Sequence, residues 1–302
     1  MKHIALAALL LLSACATAPA NTEAQAACAP AGFTRAELDA LKASQWSIAD
    51  DAARNAFARA LTACLGSPDP SLRDGLAFEG LQYLLRNRQL SNETMLALAD
   101  DLEARLVASE DQGFERPFAA LVLSEVARAD RIEAYLTPER RARLLDAAIR
   151  YLTDVHDYRG FDRREGWRHG VAHGSDLMLQ LVLNPALGKP ELISIRDAIA
   201  SQIAPREHFY IYGESERLAR PILYMAQRGL FSEDEWTTWF GEISGPGVLG
   251  SWDNAFASQA GLARRHNLNS FIAAIYLNAK IGDNAAFAPL LPGAEAALRA
   301  MP

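Results

Sequence analysis

Beyond residue 34, apolar side chains recur at spacings of three and four in segments of roughly 12 to 20 residues, and the strict alternation of a half-buried strand is almost absent. That period predicts helices at 35–44, 50–65, 72–87, 92–107, 116–128, 138–155, 165–183, 191–203, 214–227 and 233–242, with a broken helical stretch from 253 to the end. The segment ends carry matching punctuation. Thr34 with Glu37, Ser71, Ser91, Thr137 followed by Pro138, and Ser232 with Glu235 each place a hydroxyl where it can accept from the free amides of a first turn. Gly66, Gly160, Gly229 and Gly282 follow apolar-periodic runs, and Pro68, Pro185 and Pro190 stand where a helix must end.

Helices joined by short turns pack antiparallel, and these pairs recur about every 40 residues. The expected fold class is all-α, with stacked antiparallel helical hairpins forming a HEAT-like α-α superhelix, although no repeat consensus is visible. No Gly/Ser-rich or charged linker divides the body, so a single helical domain is expected over 32–302. The run Gly245-Pro246-Gly247-Val248-Leu249-Gly250 reads as irregular backbone, either a plain connection or a lid.

Residues 1–31 have a different character. Lys2 and His3 precede an unbroken apolar run over 4–12, too short to span a bilayer, which is the pattern of a secretion signal. The run ends in Leu12-Ser13-Ala14-Cys15, which resembles the lipobox of bacterial lipoproteins: a branched apolar residue, two small residues, then the cysteine that takes the lipid. The resemblance implies a signal peptide over 1–14, and a mature lipoprotein that begins at an acylated, palmitate-bearing Cys15. Cleavage at Ala14 or Ala18 as an ordinary signal is the alternative. Each buried methylene contributes about 0.8 kcal/mol, so two or three acyl chains tether the protein to the membrane almost permanently. Ala16 in place of an aspartate implies, by the same resemblance, the periplasmic side of the outer membrane. Residues 15–31 carry the lipidated cysteine and a flexible tether rich in Ala, Pro and Thr.

The chain is 50% hydrophobic and 22% charged, enough apolar material over 302 residues for a large core, which excludes disorder over most of its length. A formal charge of −7 offers no broad attraction to phosphate backbones, so no nucleic-acid partner is expected. Three cysteines are too few for a disulfide-stapled fold. In an oxidising periplasm Cys28 and Cys64 either pair or leave Cys64 packed as a small hydrophobe with Cys28 free.

The densest chemistry lies between Asp154 and Asp176. On a helix of about 100° per residue, His169, His173, Asp176 and Gln180 share one polar stripe, with Trp167, Val171, Met178 and Val182 opposite and Gly170 and Gly174 permitting close approach of a neighbour. Between Gly170 and Leu183 the only charged residue is Asp176, so the stripe should face a cleft or the interior. Two imidazoles four apart are the spacing by which a helix offers two ligands to zinc or a similar divalent metal. The glutamate of a zinc-protease HExxH is absent, its place taken by Gly170. Asp176 lies about 10 Å along the axis from His169, which casts it as an acceptor for the ring proton of His173 rather than a third ligand. Candidates for a third ligand are His156, Asp157, Glu165, Glu214 and Glu216, and the competing account is a buried network that only holds the fold.

Gly166-Trp167-x-His169-x-x-Ala172-His173-Gly174-x-Asp176, preceded by Asp157-x-Arg159-Gly160, resembles the signature of the bacterial family known as domain of unknown function 2785. Arg116-Pro117-Phe118 and Gly213-Glu214-x-Glu216-Arg217-Leu218 are similar to its flanking blocks, and the resemblance runs from about Leu72 to Trp239. It implies a helical body and singles out these polar residues, but no activity. Pro221, within the helix that starts near Glu214, is expected to kink it.

Arg116, Arg159 and Arg217 either pair with Asp157, Glu214 or Glu216, or clamp an anionic ligand. Trp236, Trp239 and Phe240 stand at helical spacing, with Phe209, Tyr210 and Tyr212 clustered nearby and Trp252 further on, as core residues or as an exposed row suited to sugar faces. Two function classes remain. In the leading one, a helical-repeat lipoprotein binds a peptide, glycan or protein partner in a polar cleft containing His169, His173 and Asp176, oriented by Asp157, Arg159, Trp167, Arg116, Glu214, Glu216 and Arg217. In the other, His169 and His173 hold a metal, or one acts as a base oriented by Asp176, in a hydrolase acting on envelope material.

Overall fold

The computed structural model describes residues 30–108 and 112–302, apart from the side chain of Ala31. The expected signal peptide, Cys15, Cys28 and nearly all of the expected tether lie outside the described residues. The described residues are all-α except for one two-stranded hairpin. Helices α1 (Arg35–Ala43) and α2 (Asp51–Leu61) lead through a single turn, Pro70–Leu72, and a π-helical stretch, Arg73–Phe78, into α3 (Glu79–Arg86). Then follow α4 (Asn92–Leu106), α5 (Glu115–Ile132), α6 (Pro138–Thr153), the hairpin strands β1 (Phe161–Asp162) and β2 (Gly166–Trp167), and α7 (Gly170–Val182). The remainder is α8 (Lys189–Gln202), α9 (Glu214–Gln227), α10 (Glu233–Ile243), α11 (Gln259–Ile281) and α12 (Leu291–Ala300).

Local chemistry accounts for most of these boundaries. Thr34 with Glu37 and Ser232 with Glu235 form reciprocal capping boxes, and Ser91 and Thr137 cap α4 and α6 through their hydroxyls. At the turn before the π-helical stretch the cap is Asp69, not Ser71: its carboxylate accepts from the amide of Ser71. Helix α9 runs through Pro221 without interruption. Trp236, Trp239 and Phe240 are core residues, with α12 crossing so closely that a Cβ on Gly293 would come within 2.7 Å of the Phe240 ring.

The packing is that of stacked hairpins. Helices α3, α5, α7, α9 and α11 form one row in which each packs on the next, and α2, α4, α6 and α8 form a second row alongside. Within the first row α7 is buried almost throughout, between α5 and α9. Chain segments leading out of the first row, such as 87–91 and 228–232, are short turns, whereas those leading into it, 107–114, 154–169, 203–213 and 244–258, are long. Three of the long segments meet at one end of the stack. Gly113 abuts the Asp157 and Arg159 side chains, the Tyr212 ring lies directly over Gly160, and Gly166 sits beside Arg73.

Cys64 is buried and disulfide-bonded, and the Cys28 half of the expected bridge lies outside the described residues. Among the described residues no helix is long and apolar enough to cross a membrane. The 245–250 run is irregular as expected, with one short 3-10 turn, Gly247–Leu249, at its centre.

Candidate functional site

The helix expected from residue 165 begins only at Gly170. Residues 161–167 instead form the hairpin, with Phe161 paired to Trp167 and Asp162 to Gly166. The Asp162 carboxylate accepts from the amides of Arg164 and Glu165, closing a tight turn, and Gly166 takes the left-handed conformation that completes it. Past the strands, the amides of Arg168 and His169 donate to the carbonyls of Gly160 and Arg159 at 3.0 and 3.3 Å. His169 itself is left-handed, at φ 61°, where the chain swings from strand into α7. Trp167 is therefore not on the helix opposite the histidines but on the hairpin.

Two arginines support the hairpin from below. The guanidinia of Arg73 and Arg168 both pack on the Phe114 ring, each 4.1 Å from its centroid. Arg73, fully buried, donates to the carbonyls of Ser67 and Glu165 and to Asp74. Arg168 donates to Gln112 O and to the Glu165 carboxylate at 2.7 Å.

The polar stripe of α7 faces the seam between α5 and α9. His173 Nδ1 lies 3.2 Å from the carbonyl of Pro117, His169 Nε2 lies 3.0 Å from the carbonyl of Tyr212, and Gln180 accepts from Arg131. A carbonyl can only accept, so each of these ring nitrogens carries a proton, which fixes both tautomers. Asp176 does not serve His173: it forms a two-point ion pair with Arg217 of α9. Gly170 and Gly174 allow α6 to approach, with Tyr151 donating to Gly170 O and Leu152 in contact with Gly174.

Burial dominates the electrostatics here. It pushes His173 down to about 3, helped by His169 and Arg217, and it also lowers His169. A general base works best with a pKa near the operating pH, so His173 is poorly poised for that role. Burial likewise raises Asp176 against the pull of Arg217. The two imidazoles have ring centroids 5.9 Å apart, and among the described residues no group of three or more His, Cys, Asp or Glu is placed to hold a metal ion.

The open space lies outside this seam. A cleft of about 730 Å³ is bounded by the 156–162 segment, Glu165, Arg168, and His208, Ile211 and Tyr212 of the 203–213 segment. In its wall Asp157 and Arg159 form an ion pair at 2.6 Å; the bonds from Arg159 outweigh burial and hold the Asp157 carboxyl below its ordinary value. Tyr158 and His208 are stacked, with ring centroids 4.9 Å apart. Apolar side chains stand open to solvent at the rim: Phe161 is 48% exposed, Ile211 69%, and the adjoining Trp167 39%. A smaller well of about 80 Å³, lined by Arg116, Pro117, Tyr151, Val155 and Gly170 among others, adjoins His156 and Asp157.

The residues singled out from sequence thus divide. Asp157 and Arg159 line the cleft, with Trp167 beside it, and Arg116 lines the smaller well, its Nε donating to the carbonyl of Leu106. His169, His173, Asp176 and Arg217 form the seam behind. Glu214, buried and raised by that burial, accepts from the amide of Tyr212 rather than from an arginine, and Glu216 is exposed. Phe161, Arg168, His208 and Ile211 were not anticipated. A signal for the first two existed in Asp162-x-x-Glu165-Gly166, a tight-turn sequence flanked by aromatic residues; none existed for the others, which come from a distant loop.

The sequence model of the family described as protein of unknown function (DUF2785) matches residues 84–277. The match starts later than the resemblance noted above and extends further, into α11. No curated protein and no solved structure matches the chain.

Proposed function

The chain belongs to that family of unknown function, and we propose that its helical body binds a small ligand in the cleft between the 156–162 and 203–213 segments. The observation that carries this reading is the cleft itself: a cavity of about 730 Å³, of ligand-binding size, with apolar rings at its rim and polar side chains along its wall. The seam of His169, His173 and Asp176 supports it from behind by fixing the hairpin and the 203–213 segment to α7. The metal-dependent and His/Asp hydrolase readings draw less support, because among the described residues no third ligand stands beside the two imidazoles and Asp176 is engaged by Arg217 rather than by His173.

The ligand belongs, on this reading, to the cell envelope. The lipobox-like Leu12-Ser13-Ala14-Cys15 supports a protein tethered by acyl chains on Cys15, with its body in the periplasm, facing peptides, glycans and other envelope proteins. Labelling cells with a palmitate analogue tests the anchor: the wild-type chain takes the label and fractionates with membranes, and Cys15→Ala does neither. Label on Cys15→Ala, or an unlabelled soluble wild type, overturns it.

Thermal-shift screening of the purified chain against envelope-derived peptides, saccharides and lipid headgroups tests the cleft. Ligands found there should lose at least tenfold in affinity on Ile211→Arg, which places a long cation in the rim at an exposed position. Unchanged affinity for every ligand would place binding elsewhere.

A further inference from the structure

We infer that the ligand of this cleft is an uncharged saccharide, held by stacking on the hairpin rings and by the paired charges of the wall. The inference rests on the cleft reading above and adds the chemical class. Its first support is charge. The lining side chains bring three carboxylates, Asp157, Asp162 and Glu165, against two guanidinia, Arg159 and Arg168. Both guanidinia are already bound, Arg159 to Asp157 and Arg168 to Glu165, and Asp162 accepts from the amides of its turn. A phosphate or carboxylate ligand would meet a wall of net negative charge whose cations are engaged, so an anionic class is disfavoured. A cation would need to displace an arginine from its partner.

The second support is the shape of the aromatic surface. Phe161 and Trp167 are cross-strand partners, so their side chains leave the same face of the hairpin, and their rings lie 5.0 Å apart at 54°. His169 stacks on Trp167 at 4.5 Å, and Tyr212 meets it edge-on. The result is a one-sided, solvent-facing platform rather than a slot between parallel rings. Planar aromatic ligands gain most when enclosed on both faces; the pair in this cleft that approaches parallel, Tyr158 and His208, is already closed on itself. A pyranose needs only one side, since its C–H face packs on a ring while its hydroxyls project sideways. Those hydroxyls then meet ionised groups fixed in place by one another, which make shorter and stronger hydrogen bonds than neutral ones.

The third support is the weakness of the peptide alternative. Strands β1 and β2 are each two residues long, too short an edge to template an added peptide strand.

Titration calorimetry of the purified full chain with three probes tests the class: chitotetraose and cellotetraose as neutral saccharides, and inorganic phosphate as the anion. At least one tetrasaccharide should bind, and Phe161→Ala should weaken it at least tenfold while Phe161→Tyr, which keeps the ring, stays within threefold of wild type. Circular dichroism of each variant separates lost binding from lost fold. Binding of phosphate with neither tetrasaccharide bound overturns the saccharide inference, as does saccharide binding indifferent to Phe161→Ala. If neither tetrasaccharide binds and the only ligands from the thermal-shift screen that are sensitive to Ile211→Arg are peptides or lipid headgroups, the saccharide inference falls and the cleft reading stands. If no ligand of any class is sensitive to Ile211→Arg, both fall.

Discussion

The imidazole of His169 lies flat against the indole of Trp167, ring centroids 4.5 Å apart and 22° from parallel, while its Nε2 reaches the carbonyl of Tyr212 at 3.0 Å. One side chain thus ties the hairpin to the segment that precedes α9, and both border the cleft. His169→Ala removes the stack and leaves that carbonyl without its donor, at a cost of about 1–3 kcal/mol in urea unfolding. His169→Gly loses the same contacts but relieves the left-handed backbone, so it should be less destabilising than alanine by about 1 kcal/mol. If the two variants are equal, the backbone carries no strain at this position.

The stability of the fold should fall with acid through His173. Its folded pKa, about 3, lies below the ordinary value near 6.5, so the unfolded chain binds the proton first as pH drops. The contribution is complete above about pH 6.5 and is lost progressively between there and about pH 3, with a limiting slope of about 1.4 kcal/mol per pH unit. Asp176 and Glu214, raised by burial, act in the opposite sense. The His173 share is therefore read as the difference between wild type and His173→Gln, each unfolded by urea at several pH values; parallel curves would mean that His173 does not titrate on unfolding.

Asp176 and Arg217 should couple. Asp176 is mostly buried, so Arg217→Ala leaves a carboxylate without its cation, and Asp176→Ala leaves the converse. Each single change is expected to cost about 2–4 kcal/mol, and the double change less than the sum by about 1–3 kcal/mol. Additive losses in this cycle would show the pair to be energetically independent.

The Tyr212 ring rests on Gly160 so closely that a Cβ there would come within 2.0 Å of Cδ2. Gly160→Ala should therefore displace the ring, at about 1–3 kcal/mol in thermal or urea unfolding. In a Tyr212→Ala background the same substitution should cost little. A large cost in both backgrounds would trace the effect to the hairpin backbone instead.

How much of this was legible beforehand follows from the range of the interactions concerned. Capping at Thr34, Ser91, Thr137 and Ser232 involves residues within one helical turn, and the inward facing of His173, Asp176 and Gln180 follows from a 3.6-residue period in which no lysine or glutamate interrupts the stripe. Most helices, the ends capped at these four residues and the all-α class are therefore properties of neighbouring residues, and the amino-acid sequence alone determined them. The hairpin at 161–167 was missed because its decisive features are backbone conformations, Gly166 and His169 in the left-handed region, and a histidine there is not betrayed by its identity. The partner of Asp176 was misjudged because His173 is near in sequence, whereas the preferred cation is Arg217, placed by the packing of α9 on α7. The cleft joins segments some fifty residues apart, and only the stacking of the helical rows brings Phe161, Arg159, His208 and Ile211 to one end of the molecule. Local chemistry chose the elements; the close packing of their buried faces, a collective property of the whole chain, decided which polar and aromatic side chains meet.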